Sequence, residues 1–291
     1  MTTGSAGIMY HKTELIRKGL TGGVFIAPYT AAAITAATVF DPTTGALVNP
    51  LPSGYRDIGF LSAAGASFAR TAKTTDISSW QSDNPTRTDI TSDVSAMTID
   101  PQETNQSTIG LFLGIDATTI TPNATNGTFS VDRPAISIPR YYRVLSLAVD
   151  TVTTGEIVIA RFFPRALVTA FAAQTYANAS DPISYGVTLT AYLDSVLGTP
   201  ERYLFGGEGQ PSLQVDMGWS RGVTITTVNA NATVTATTGL FFPNDVGATF
   251  TATGIPANTT ILSYTDSTHV VLSAAATAGA TVVSATIAGE A

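Results

Sequence analysis

Apolar and polar residues alternate along much of the chain, which is the pattern of half-buried β-strands. The clearest run is 185–193, where apolar side chains occupy the odd positions. Residues 143–149 and 157–163 repeat this alternation and predict a hairpin, and Pro164 is expected to bend or end its second strand. The 25 glycines and 15 prolines punctuate these runs with turns. The pattern therefore predicts a mainly β, antiparallel protein.

One stretch, 77–113, is predicted to fold as strand, polar loop, strand and helix. Asp100 is positioned to cap the helix, and Glu103 three residues later is positioned to complete a capping box. Asn105 is a competing cap, so the predicted start can shift by one turn. Gly114 is a suitable stop. No other segment has a helix signal of this quality, so one helix is expected to pack against the strands.

The first 54 residues are predicted to form an arm with a long loop. Alanine and threonine alternate irregularly over 30–38, and proline-containing turns at 41–45 and 49–52 interrupt any helix. A connection of this length is usually functional or disordered, and both interpretations stay open. The uncharged run 20–40 contains glycines, threonines and Pro28, so we expect no membrane span.

The composition changes after Arg221, because residues 222–291 contain no lysine or arginine and are rich in threonine. Short β-branched runs recur there and predict six strands, at 223–225, 233–235, 249–251, 260–262, 269–272 and 281–283. We therefore predict two domains. Residues 1–217 form an antiparallel β-sandwich or barrel with one packed α-helix, and 222–291 form a small β-sandwich, with an immunoglobulin-like fold as the preferred interpretation.

The charge of the chain disfavours conventional nucleic-acid binding. The net charge is −7, whereas affinity for phosphate comes from lysine and arginine. Only 12% of the residues are charged, which favours packing against other copies of the chain. Residues 76–116 hold seven acidic residues and one basic residue, Arg87, and so carry most of the net charge.

Catalytic and cofactor motifs are not found. The two histidines, His11 and His269, fall in different predicted domains, and no activated serine accompanies either. The chain has no cysteine and no glycine-rich phosphate loop. We expect no enzyme activity, no cofactor and no metal, although paired carboxylates from distant strands stay open as a glycosidase-type alternative.

Several short blocks carry a resemblance to a known family. They lie in one order within about residues 55–210 and are Trp80-Gln81-Ser82 with Pro85 and Arg87, Gln102-Glu103-Thr104-Asn105, Tyr141-Tyr142-Arg143, Phe163-Pro164-Arg165-Ala166, Asp181-Pro182-Ile183-Ser184-Tyr185 and Thr188-Leu189-Thr190-Ala191-Tyr192. In these blocks the chain resembles the major tail tube protein of long-tailed bacteriophages, most closely those of actinobacterial phages. Residues 246–276 resemble a module appended to many phage virion proteins.

The resemblance implies a tail-tube-type fold and a structural role in the virion. Copies of 1–217 would form stacked, hexameric rings whose inner strands join into a wide β-barrel, the conduit for DNA at ejection. The implied partners are other copies of the chain, the tape measure protein inside the tube, the tail terminator, the distal tail protein, and DNA in non-specific transit. Assembly is expected in the host bacterial cytoplasm, with 222–291 projecting outward and binding host-surface glycans.

The resemblance also implies roles for particular residues. Subunit contacts are expected at Trp80, Arg87, Pro28, Tyr29 and Phe40. The candidate acidic set is Asp76, Asp83, Asp89 and Asp93. One interpretation places this set on a channel wall that repels DNA phosphates, and the other makes it an ordinary solvated face.

A second function class is a virion receptor-binding or adhesin-type protein that binds carbohydrate through the threonine-rich module. It would form discrete trimers or monomers, whereas a tube protein forms hollow, stacked rings. A β-fold hydrolase is the third class, and turnover of a polysaccharide would identify it.

Overall fold

Antiparallel β-strands make up most of the fold, which confirms the predicted class. A computed structural model describes residues 11–153, 155–177 and 182–289. Residues 1–10 of the predicted arm and Asp181 of one resembling block lie outside the described residues. The chain divides into two units, one formed by 20–149 and 158–205, the other by 11–19, 150–157 and 206–289. The predicted domain boundary between 217 and 222 stays a prediction.

The first sheet has eight strands, in the order β2-β1-β5-β6-β7-β4-β3, with β8 paired to β6. The strands are β1 (Thr21–Pro28), β2 (Arg56–Asp57), β3 (Ser67–Ile77), β4 (Arg87–Ile99), β5 (Tyr141–Val152), β6 (Gly155–Phe171), β7 (Val187–Ala191) and β8 (Arg202–Gly206). Among the described residues, two α-helices accompany it, α1 (Ala36–Val39) and α2 (Gln106–Leu113). A 3-10 turn follows α2 at Ala117–Thr119.

Both faces of the central strands β5 and β6 are buried. Val144 of β5 and Phe163 of β6 pack into one core, which α2 covers through Leu111. The neighbouring residues Leu145 and Phe162 pack into a second core on the opposite face. The sheet therefore separates two hydrophobic cores within the first unit.

The predicted arm and long loop contain ordered structure that the sequence did not predict. β1 pairs with β5 from Thr21 to Pro28. Beyond it, α1 and its flanks supply the buried residues Ile34, Val39 and Phe40 to the second core. This stretch is thus part of the folded unit, because its apolar residues cover a sheet face that would otherwise meet water.

The predicted helix cap at Asp100 and Glu103 is wrong, and the competing cap at Asn105 is confirmed. Asn105 Oδ1 accepts a hydrogen bond from the Thr108 N–H at 2.9 Å. Residues 100–102 are instead extended and hydrogen-bonded to 60–62. Glu103 Oε1 accepts the Phe60 N–H at 2.8 Å, so this carboxylate fixes a loop. The helix ends as predicted at Gly114, whose φ is 69°.

Pro164 was predicted to bend or end its strand; it does not end the strand, because β6 continues to Phe171. The ladder between β6 and β7 begins only at Ala166. Proline's fixed φ is compatible with extended backbone. Pro164 therefore removes no hydrogen bond from the pairing with β7.

The second sheet has six strands, in the order β11-β14-β9-β10-β13-β12. They are β9 (Arg221–Thr227), β10 (Thr233–Thr238), β11 (Phe250–Ala252), β12 (Ile261–Asp266), β13 (His269–Leu272) and β14 (Ala280–Ile287). Each overlaps one of the six predicted runs. The two outer strands meet at one end, where the Phe250 N–H donates to Thr259 O at 2.8 Å. Phe241, Phe250 and Ile225 lie in the core enclosed by this sheet, and the immunoglobulin-like interpretation stays a prediction.

Candidate functional site

The hairpin formed by β3 and β4 is largely exposed to solvent. The two strands pair from Ser67↔Thr98 to Ile77↔Arg87. On its other side, β4 pairs with β7 only over Ala96–Ile99. Residues 87–95 thus extend past the sheet by about 30 Å, at about 3.3 Å per residue.

The outer edge of this hairpin is free. Among the strands of the described chain, β3 pairs with β4 alone. Its backbone N–H and C=O groups on that edge are a template for pairing with another strand. Apolar side chains are also exposed on the hairpin, at Ile77, Ile90 and Val94. Unpaired backbone together with exposed apolar side chains is typical of a surface that meets another protein.

The loop at the tip of the hairpin, 78–86, is held by its own hydrogen bonds. Ser79 Oγ lies 2.8 Å from Thr86 Oγ1, and the Ser82 hydroxyl donates to Asn84 O at 2.9 Å. Trp80 projects from this loop with 98% of its surface exposed. A loop that is held in place by hydrogen bonds and exposes an indole ring has the features of an interface anchor.

Two of the four candidate aspartates are neutralised by arginines of the same hairpin. Asp93 pairs with Arg70, and Asp89 Oδ1 lies 2.7 Å from Arg87 Nε. The hydrogen bond from Arg70 holds the pKa of Asp93 below its usual value. Arg87, a predicted subunit contact, therefore has a partner within its own strand. Residues 67–99 carry four aspartates against two arginines and one lysine, so the hairpin is nearly neutral.

The register of the hairpin also divides the predicted acidic set between two faces. Asp76 and Asp93 lie on the face that continues from Met97, whereas Asp89 lies on the opposite face. A bulge at Thr91 sets this arrangement, because it shifts the register by one residue. Asp83 lies in the tip loop. The four carboxylates therefore do not form one acidic face within a single chain.

The remaining predicted contact residues have different environments. Phe40 is only 6% exposed and lies in the second core, which leaves little of its side chain free, and its contact with another subunit stays a prediction. Its aromatic ring gains more from the core of its own chain than an exposed loop position offers. Tyr29 is half-buried between Tyr141 and the guanidinium of Arg143, and Pro28 is exposed at the end of β1.

Sequence reasoning missed an apolar cleft beside the C-terminal end of α2. We name it the α2 cleft. It has a volume of about 430 Å³ and lies between α2, the loop 133–140 and the end of β6. Its apolar lining includes Leu111, Phe112, Ile138 and Phe171. In the sequence, Ile136 and Ile138 lie between Pro134 and Pro139. This pattern does not predict a cleft, because the cleft forms only where the loop packs against α2.

Neither a metal site nor a membrane-spanning helix is found in the part of the chain that the structure describes. No three histidine or acidic side chains there converge as metal ligands, and no helix there combines the length and hydrophobicity needed to cross a bilayer. His269 Nδ1 lies 2.9 Å from Asp266 Oδ1 in the turn between β12 and β13. The hydrogen bond from His269, assisted by Thr268, lowers the pKa of Asp266 to about 2.

Comparison with known proteins gives one family. A family model described as "Phage tail tube protein" matches residues 9–199, more than half of the chain. No curated protein matches. A solved structure titled "Crystal structure of Hcp protein" is similar at 12% identity and a TM-score of 0.26, covering 62% of this chain and 96% of that one. Because that structural agreement is low, the family match alone carries the assignment: the chain belongs to the phage tail tube protein family.

Proposed function

We propose that this structural tail protein assembles into stacked, hexameric rings that form the tube through which DNA is ejected. The β3–β4 hairpin is the observation that carries this proposal. A two-stranded ribbon with both faces in water is only marginally stable by itself. Pairing of the free β3 edge with a strand of a second copy would supply the missing hydrogen bonds. Repetition around a symmetry axis then closes the sheet into a barrel without edges.

The hairpins would form the wall of the channel, with Asp76, Asp83, Asp89 and Asp93 facing the lumen or the joints between hairpins. The pairing of Asp93 with Arg70 and of Asp89 with Arg87 supports a wall that binds DNA weakly. Phosphate affinity comes from cations that are free to replace counterions, and these two arginines are already paired. DNA would therefore pass without being held.

The remaining contacts are part of the same proposal. The tube would enclose the tape measure protein and end at the tail terminator and the distal tail protein, after assembly in the host bacterial cytoplasm. The host would be actinobacterial, as the resembling blocks indicate.

Residues 222–291, with an immunoglobulin-like fold, would project outward and bind host-surface glycans. The six-stranded sheet of that region has its own core, which supports an appended module.

A charge placed on the hairpin tests the proposal. Ile90 is 70% exposed on β4, so Ile90→Asp should leave the subunit folded. If hairpins join to one another, every copy adds a carboxylate to the face that already carries Asp76 and Asp93, and like charges on neighbouring strands oppose the pairing, so polymerisation measured by sedimentation is weakened. Leu262→Asp is the matched control, because Leu262 is similarly exposed on β12 of the second sheet.

The control variant should form tubes like the wild type. Circular dichroism of both variants would establish that they fold. Normal tubes from Ile90→Asp would contradict the proposed role of the hairpin. Discrete trimers of the wild type, in place of tubes, would favour the adhesin-type alternative.

A further inference from the structure

Trp80 and the α2 cleft are complementary features of the same chain. The indole is 98% exposed, so it does not occupy the cleft of its own chain. The cleft is open to solvent at Ile138, which is 76% exposed, and at Phe171. Each feature leaves apolar surface in water. A contact between two copies would remove both surfaces from water at once.

The size of the cleft suits an indole. A cavity of about 150 Å³ lined by leucine, isoleucine and phenylalanine accepts a benzene ring. The α2 cleft has about 430 Å³ and a similar lining, so it has room for a two-ring side chain together with part of its loop. Phe112 and Phe171, whose ring centroids lie 5.7 Å apart in an edge-to-face pair, offer aromatic contacts on one wall.

Tyr142 also lines the cleft. Its hydroxyl oxygen is buried and closed to solvent, so an inserted indole would meet the Tyr142 ring and not the hydroxyl. Burial raises the pKa of Tyr142 to about 12, so the side chain is neutral at neutral pH. An apolar ring therefore meets no phenolate charge in the cleft.

Charge complementarity orients the contact. Asp83 lies three residues after Trp80 in the same loop. Arg133 and Arg140 both line the α2 cleft. Arg133 is exposed, and Arg140 already binds Asp116 at 3.3 Å. Asp83 would therefore face Arg133 when the indole is inside, so that opposite charges meet at the rim of the cleft.

We propose that Trp80 of one copy inserts into the α2 cleft of a second copy, packs against Phe112 and Phe171, and anchors the contact between subunits. This inference rests on the proposed function, since it requires subunits that assemble. It identifies the anchor and its receptor, which the hairpin pairing by itself does not.

Removal of the indole tests the anchor. Interface tryptophans are frequent hot spots, and truncation of a hot spot typically weakens association by a factor of about 30 or more. Trp80→Ala should therefore raise the concentration needed for polymerisation roughly 30-fold. Trp219→Ala is the matched control, because Trp219 is the second of the two tryptophans and is also largely exposed. Equal polymerisation of Trp80→Ala and the wild type would overturn the proposal.

Fluorescence shows whether the indole is buried. In a Trp219→Phe background Trp80 is the sole tryptophan. Its emission should shift to shorter wavelength on assembly, and Ile138→Asp should weaken both the shift and the assembly. Tubes in which the emission stays that of a hydrated indole would overturn the insertion but leave the tube function intact. Failure of the wild type to polymerise would instead contradict the proposed function.

Cross-linking identifies the receptor. The chain has no cysteine, so introduced cysteines have no background. Subunits with Gln81→Cys, mixed with subunits with Ser137→Cys, should form disulfide-linked dimers on assembly, because these exposed positions flank the indole and the cleft. Gln81→Cys mixed with Ser267→Cys is the control and should not cross-link. Equal yields in both mixtures, or none in the first, would overturn the assignment of the cleft.

Discussion

At the residue scale, the first unit contains a buried ion pair that depends on one carboxylate. Asp194 is fully buried, and its Oδ1 accepts the N–H groups of Val196 and Leu197 at 2.9 and 3.0 Å. Arg143 Nη2 lies 3.9 Å from Asp194 Oδ2, and its Nε donates to Tyr29 O at 3.0 Å. Burial raises the pKa of Asp194, but the amide hydrogen bonds and Arg143 outweigh this effect and lower it overall.

Asp194→Asn should destabilise the subunit by about 3 kcal/mol at pH 7, because Arg143 becomes a buried charge without a counterion. The folded-state pKa of Asp194 is lowered, so its contribution is present above the unfolded value near pH 4 and is lost as the pH falls through the folded pKa. The difference in free energy of unfolding between the wild type and Asp194→Asn should therefore become smaller below pH 4. Urea unfolding of the unassembled subunit measures this difference.

Asp83→Asn is the control for this prediction, since Asp83 is exposed in the tip loop. It should change the free energy of unfolding by less than about 0.5 kcal/mol at either pH. If the difference in free energy of unfolding between the wild type and Asp194→Asn stays constant from pH 7 to pH 3, the assigned role of the carboxylate is contradicted.

At the element scale, the start of α2 depends on Asn105. Its Oδ1 accepts the Thr108 N–H, and its Nδ2 donates to Ile58 O at 2.9 Å. Asn105→Ala should therefore cost about 2 kcal/mol, the upper end of the range for a lost cap. Ser107→Ala, in the first turn of the same helix, should cost less than about 0.5 kcal/mol.

Hydrogen exchange locates this effect. The Thr108 amide should exchange faster in Asn105→Ala than in the wild type or in Ser107→Ala. An Asp100→Ala variant that speeds this exchange more than Asn105→Ala would restore the original capping prediction and contradict the structure.

The elements that the sequence predicted well are those with local signals. The second sheet was recognisable because each strand is a short β-branched run between turns. β1 was missed because Gly22 and Gly23 interrupt its alternation and its partner, β5, is distant in the chain. A Cβ at Gly22 would lie 2.1 Å from Leu147 O, so the glycine that obscured the strand also permits its close pairing.

Part of the candidate site was also predictable, because it too has local sequence signals. The hairpin follows from two strand patterns around a polar loop, and the subunit contact at Trp80 stays a prediction. The α2 cleft could not be predicted, because Phe112, Ile138 and Phe171 come together only through the tertiary fold. The helix cap shifted because residues 100–102 find backbone partners at 60–62, which is information that a capping motif does not contain.

At the scale of the whole molecule, we propose that residues 1–217 form the tube and that residues 222–291 are an outward module. The second sheet should therefore be dispensable for the tube. A chain ending at Met217 should still polymerise, although it exposes Val215, which is buried in the core of that sheet. Lower solubility of the truncated chain is therefore expected. Electron microscopy of the truncated protein measures the outcome, and loss of polymerisation would contradict an outward decoration.

We propose that neighbouring copies, arranged around a hollow axis, complete the first sheet. Negative-stain electron microscopy of the purified full chain over a range of concentrations shows whether they do. Hollow rings that stack into tubes as the concentration rises are expected. A monomer that persists at every concentration, with neither ring nor filament in any condition, would contradict this proposal.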